Sequence, residues 1–491
     1  MPHHRTLRNS AWALANRALT GLSLLAAHVI FARVLQPAET GRYHLAVFVG
    51  MLAATLATFG LPGAATRFIA ADIGAGGRVA GAIARRVGAS ALAGLCFVSA
   101  VGALAMTLGP ASWRVASLGA MIGFCAAQSV RLVAAGIAQG YADFRGQAVA
   151  SLLTALILPA GATVVWIYGG DASDALGVTA VHAAATGTLV LLGLRSRLNT
   201  GAPLPRELAG RIARYCAGVA AILVLDTIVW QQSEAVFLRV YSAPIQLGLY
   251  SVAYSLVVQT MQFVPGSIGA ASFPALAAVA GAQDHRALVS TLDRTTRFLA
   301  VAAFPIASLG TVLARDILAA LYGQAFAPAA PALQWLWIGG AAGASAVAAS
   351  GALYALNRER LLLAIAIPLA AFNIGLDLLL IPHAHAVGAA AANTVTQLLG
   401  ALAALWAADR VLGGRAIPWW SMLRIAGATC AAGAAALWTR SGQTGWTSIL
   451  TAAAVFALAY SAALALFGEL RHARLRLGKS MSTVDPGAWR S

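Results

Sequence analysis

About 14 apolar runs, each near the length that crosses a bilayer and separated by short polar breaks, leave this chain few folds to choose from. They lie near 11–33, 44–70, 87–108, 115–138, 148–168, 175–194, 215–238, 247–274, 298–320, 333–356, 361–382, 388–408, 418–438 and 447–467. A hydrocarbon core about 30 Å thick takes about 20 helical residues to cross, and inside it every backbone N–H and C=O must be bonded within the segment. The 491 residues are 60% hydrophobic and 10% charged, whereas a soluble domain carries about 25% charged residues. The expected fold class is therefore an all-α polytopic membrane protein of about 14 transmembrane helices.

The formal charge of +17 would point to nucleic acid in a soluble chain. Here it fits the excess of basic residues in cytoplasmic loops, and no basic run is interleaved with stacking aromatics as single-strand binders require. No nucleic-acid partner is expected. With an N-terminus in the cytoplasm, one face collects Arg5, Arg8, Arg78, Arg85, Arg86, Arg145, the Arg195–Arg214 cluster, Arg286, Arg294, Arg297, Arg358, Arg360, Arg410 and Arg415. The other face keeps only Arg33, Arg42, Arg114, Arg239, Arg315 and Arg440. Both termini are thus expected on the cytoplasmic side. Met1 to Arg8 resembles the start of a signal peptide, but Asn16 and Arg17 interrupt the apolar run and no small-residue cleavage site follows. A retained first helix is expected.

The chain echoes itself. FARVLQPAETGRYHLAVF after the first span is matched by FLRVYSAPIQLGLYSVAY after the seventh, with Gly41-x-Tyr43 opposite Gly248-x-Tyr250. FGLPGA around Pro62 returns as FVPGSIGA around Pro265, and LGVTAVHAAAT of the sixth span resembles AVGAAAANTVT of the twelfth. The offset equals six spans, so both copies insert with one orientation. Parallel six-helix repeats with a substrate site between them are a transporter architecture. The expected organisation is an N-terminal bundle over 1–194, a cytoplasmic linker over 195–214 and a C-terminal bundle over 215–409. Two additional helices follow over 410–467, then a cytoplasmic tail over 468–491.

IFARVLQPAETGRYHL, VWQQSEAVFLRVYSAPIQLGLYSVAYSL, ALYGQAFAPAAPALQWL, LIPHAHAVGAAAANTV and the Asn357-Arg358 loop together resemble the polysaccharide-exporter branch of the multidrug/oligosaccharidyl-lipid/polysaccharide flippase superfamily. The resemblance runs in order from Asn9 to about Arg410. It implies an O-antigen-type flippase that moves undecaprenyl-pyrophosphate-linked oligosaccharide across the bacterial inner membrane by alternating access. The partners so implied are the lipid-linked oligosaccharide, the membrane lipids and polysaccharide polymerase or chain-length machinery. Two related readings stand beside it: a cation-coupled multidrug exporter of the multidrug and toxin extrusion type, and a flippase for the peptidoglycan precursor.

Ionisable groups inside a membrane cost at least about 2.5–3.5 kcal/mol on insertion scales, so each marks a functional position by default. Arg17 and Arg131 sit inside the first and fourth spans, with Gln128 one turn from Arg131. A guanidinium facing inward suits a pyrophosphate because its planar fork pairs two oxygens at once; the competing role is snorkelling to the interface, expected for Arg424. Asp226, Trp230 and Glu234 follow at four-residue steps and share a helix face. Asp226, Glu234 and Asp377 are the candidates for a coupling ion, H⁺ or Na⁺. Structural pairing with an arginine on a neighbouring helix is the equal reading for Asp226. For Glu234, nearer the outer interface, pairing with an arginine such as Arg239 is the favoured one. Gln259, Gln262, Asn373 and Asn393, the last with Gln397, are candidates for hydrogen-bonding sugar hydroxyls, or for joining helices at about 0.6 kcal/mol each.

Neither an enzyme nor a cofactor is expected. Asp171 and Asp174 share a loop too short to build a glycosyltransferase site, and His383 and His385 form an isolated outer pair. Cys96, Cys125, Cys216 and Cys430 lie singly in apolar stretches without metal-ligand spacing. No G-x-x-x-x-G-K-[ST] sequence is present to bind ATP.

Overall fold

The computed structural model describes residues 2–74, 76–108, 116–199, 202–229, 233–263, 265–439 and 446–467. Among them, nine helices are long and apolar enough to cross a membrane. Two of these bend sharply into two spans each. Helix α1, Pro2–Thr58, kinks at Gln36 (φ 59°), where Pro37 disfavours a helical conformation for the residue before it. Helix α15, Glu359–Val411, kinks at His385 (φ 50°). The remaining expected spans, 215–238, 247–274 and 418–438, are also helical in their described parts. The chain is an all-helical, multi-pass membrane protein consistent with about 14 spans.

Several expected spans prove to be broken helices. The run 44–70 is divided between α1 and α2 (Leu61–Gly74) by Phe59 and Gly60, both at positive φ. Its counterpart 247–274 is divided between α10 (Pro244–Phe263) and α11 (Pro265–Gly281). The paired motifs FGLPGA and FVPGSIGA therefore mark helix breaks at matching places. Proline explains both, since it is tolerated in a first helical turn but not in a helix interior. The run 148–168 is likewise split into α5 (Phe144–Thr154) and α6 (Ile157–Tyr168), and 298–320 into α12 (His285–Val312) and α13 (Ala314–Tyr322). Apolar composition cannot reveal such breaks, because both arms stay in lipid or protein.

The chain separates into two compact units. The first comprises Met1–Gln259 and Asn373–Ala389. It holds α1 and α2, α3 (Ala80–Leu108), α4 (Leu118–Gly140), α5, α6, α7 (Ala172–Leu198), α8 (Arg206–Val229), α9 (Ser233–Tyr241) and α10 up to residue 259. One core gathers Phe31, Tyr43, Phe124, Leu158 and Leu176; another gathers Ile69, Ile83, Val87, Ile137 and Leu194. The second unit comprises Thr260–Phe372 and Ala390–Ser491. Its main core joins Leu292, Leu299, Leu353, Leu405 and Ile425 from α12, α14 (Ala330–Ala355), α15 and α16 (Trp419–Trp438). A smaller cluster packs Ala432 and Ala436 against Phe456 of α17 (Trp446–Leu466).

Small residues set the helix spacing, as expected where lipid removes the hydrophobic drive for association. A Cβ on Gly136 of α4 would collide with the carbonyl oxygen of Pro62, and one on Gly94 of α3 with that of Ala57. The repeat makes its own contact within the first unit. A Cβ on Gly41 would lie 2.6 Å from the carbonyl oxygen of Pro244, while one on Gly248 would meet the carbonyl of Pro37. The two Pro-x-x-x-Gly turns thus pack reciprocally against each other.

Candidate transport site

Two polar groups lie inside the first unit. The first is on α4, where Gln128 is buried and accepts a hydrogen bond from Arg131 Nε at 2.7 Å. The bond follows from sequence spacing, since residues three apart stand one above the other on a helix. α7 approaches closely here because it carries Gly187, whose Cβ position is 3.0 Å from Arg131 Cα. One Arg131 donor is therefore held by an amide. His182 of α7 lies within electrostatic range of the guanidinium. Neighbouring polar contacts tie the helices around this point: Thr154 and Thr186 hydroxyls are 2.9 Å apart, and Tyr43 and Thr179 hydroxyls 3.0 Å apart.

The second group combines three elements. Glu234 of α9 and Asp377 of α15 are almost wholly buried, at 1% and 0% exposure. Asn373, one turn before Asp377, donates from Nδ2 to its carboxylate at 3.2 Å. Tyr250 of α10 is buried, its hydroxyl within electrostatic range of both acids, and its ring stacks on Tyr254 with ring centroids 5.8 Å apart. Two carboxylates, an amide and a phenol thus form a buried, oxygen-rich group. Such a donor set suits a proton or a hard monovalent cation, because it lacks the imidazole and thiolate ligands of transition-metal sites. Among the described residues, no three His, Cys, Asp or Glu side chains converge as a metal cluster.

Each expected site residue can now be placed. Arg131 with Gln128, and Asn373 with Asp377, are joined as their spacing implied. Glu234, expected near the outer interface, is buried, within electrostatic range of the Tyr250 hydroxyl. Gln259 ends the first unit and Gln262 falls in the second. Asn393 also belongs to the second unit, buried, and accepts from Gln397 Nε2 at 2.5 Å. The side chains of Arg17 and Asp226, and all of Trp230, lie outside the described residues. The face expected to run from Asp226 to Glu234 crosses residues 230–232, which also lie outside them.

Sequence reasoning missed Tyr250 and His182 as site residues. Tyr250 carried a signal, as the tyrosine of the repeated Gly-x-Tyr, but it was read as a mark of repetition only. Other residues keep plain roles. Asp171 and Asp174 form a capping box at the start of α7, which accounts for both acids on their short loop. Arg424 stacks over the Trp420 ring at 5.5 Å. His385, in the kink of α15, pairs through Nδ1 with Ser242 Oγ at 3.0 Å.

This architecture, many apolar helices enclosing buried charge, is that of a membrane transporter. A family model described as "Polysaccharide biosynthesis protein" matches residues 30–331, and the chain belongs to that family. A second model, "Lipid II flippase MurJ", matches residues 242–457. Among curated proteins, none matches the sequence significantly. The fold is similar to a solved lipid II flippase MurJ in an inward closed conformation, with a TM-score of 0.73 at 13% identity, covering 94% of this chain and 99% of that one. It is also similar to an inward-facing multidrug resistance MATE family transporter of the MOP superfamily, with a TM-score of 0.67 at 13% identity over 82% of this chain and 98% of the other. A MOP superfamily transporter from Pyrococcus furiosus aligns with a TM-score of 0.55 at 13% identity over 83% and 95%. The families and fold support a polysaccharide-exporter flippase of the MOP superfamily, as the quoted motifs implied.

Proposed function

We propose that the protein flips undecaprenyl-pyrophosphate-linked oligosaccharide, an O-antigen or exopolysaccharide repeat unit, between the leaflets of the bacterial inner membrane. The observation that carries this reading is the Arg131–Gln128 pair, a guanidinium held inside an apolar bundle of a polysaccharide biosynthesis protein. A cation held within a membrane bundle demands an anion, and a pyrophosphate supplies one that leaves with the cargo. Arg17, Gln259, Gln262, Asn373 and Asn393 complete the set of substrate-binding candidates. The two bundles over 1–194 and 215–409 alternate access, both termini face the cytoplasm, and the protein catalyses no covalent step. Polymerase and chain-length machinery receive the product.

The coupling ion binds at Glu234 and Asp377, with Asn373 and Tyr250 beside them, and Asp226 is a further candidate. Releasing a proton or Na⁺ there changes the charge of the α9–α10–α15 junction and so biases one conformation over the other. The match of residues 242–457 to the MurJ model favours a second reading, in which the cargo is the peptidoglycan precursor. Reversing Arg17 and Arg131 to Glu tests the main reading: surface polysaccharide disappears while growth and sensitivity to cationic drugs stay normal. Lysis on loss of function would move the peptidoglycan precursor into first place. Altered drug sensitivity with intact polysaccharide would move a drug exporter there.

A further inference from the structure

A cleft of about 650 Å³ opens between α3, α8 and the break that separates α1 from α2. It is a groove and not a flat lipid-facing wall because two backbones meet at its base. Gly94 brings α3 against the Ala57 carbonyl, and the positive-φ pair Phe59–Gly60 turns the chain aside. Its lining runs along α3 from Arg86 to Val101, a rise of about 22 Å at 1.5 Å per residue. A chain lying in it from Arg86 therefore reaches the midplane of a hydrocarbon core about 30 Å thick.

Charge selects the occupant. Among the described residues, Arg86 is the one charged residue in the lining, exposed at the end of the groove, and no carboxylate lines the cleft with it. The same end of the unit carries Arg85, bonded to the Leu198 carbonyl, and Arg78, whose carbonyl accepts from Ala202 N. An apolar trough ending in a guanidinium matches one acyl chain below one phosphate, and basic residues at a membrane surface attract anionic lipid. We propose that this groove is a binding site for an anionic phospholipid, its acyl chain along α3 and its phosphate on Arg86.

The test uses the full chain in nanodiscs, with lipid retained after mild extraction measured by native mass spectrometry. Phosphatidylglycerol and phosphatidylcholine with identical chains are offered in equal amounts. Wild type is expected to retain the anionic lipid at least threefold over the zwitterionic one. Arg86→Ala lowers that ratio to about one, while Arg145→Ala, exposed and outside the lining of the groove, leaves it unchanged. Ser90→Trp fills the trough and lowers retention of both lipids. Equal ratios in wild type and Arg86→Ala overturn the proposal. So does displacement of phosphatidylglycerol by an equimolar amount of undecaprenyl phosphate, which would assign the groove to a polyprenyl chain instead.

Discussion

At the scale of single residues, transport rests on charges whose place in an apolar environment is costly. Arg131 keeps one hydrogen bond to Gln128, at 2.7 Å, and its planar fork is what distinguishes it from lysine. Arg131→Lys is therefore expected to cut glycan export at least tenfold in a complementation assay, nearly as much as Arg131→Ala, with normal membrane levels by immunoblot. Export near wild type in Arg131→Lys would mean that a point charge suffices. For Asp377, the conservative change isolates the charge: Asp377→Asn keeps the shape and the bond from Asn373. Accumulation driven by an ion gradient in proteoliposomes should fall at least tenfold, while equilibrium binding of lipid substrate changes less than threefold. Equal losses in both would make the residue structural.

At the scale of elements, glycines and prolines decide where helices stop and how closely they pass. Gly136→Ala drives a methyl group into the Pro62 carbonyl, and Gly248→Ala drives one into that of Pro37. Overpacking of this kind costs about 1–3 kcal/mol, so each variant should show a lower Tm in detergent, whereas Gly119→Ala, with open space at its Cβ, should not. The helical spans were legible because hydropathy reports directly on what faces lipid, and the i, i+3 and i, i+4 pairs were legible because helix geometry fixes them. The breaks at Phe59–Gly60 and at Ala155–Leu156 were not, since no charged residue stands at them and glycine and proline are frequent in membrane helices that do not break. The meeting of Glu234, Tyr250 and Asp377 was also hidden. It brings Asp377 to residues more than a hundred positions before it, and only tertiary packing brings α9, α10 and α15 together.

At the scale of the whole molecule, the basic residues gathered on one set of loops predict topology, and the family predicts direction of use. Fusions of green fluorescent protein to either end should fluoresce and fusions of alkaline phosphatase should stay inactive, with the reverse pattern for a fusion at residue 171. The central claim, that lipid-linked oligosaccharide crosses the membrane through this chain, is tested most directly in spheroplasts of a deletion strain by leaflet-selective labelling of that lipid. The lipid is expected to accumulate on the cytoplasmic face, and wild type is expected to restore its passage while Arg131→Ala does not. Normal labelling on the periplasmic face in the deletion strain, with no other flippase induced, would contradict it.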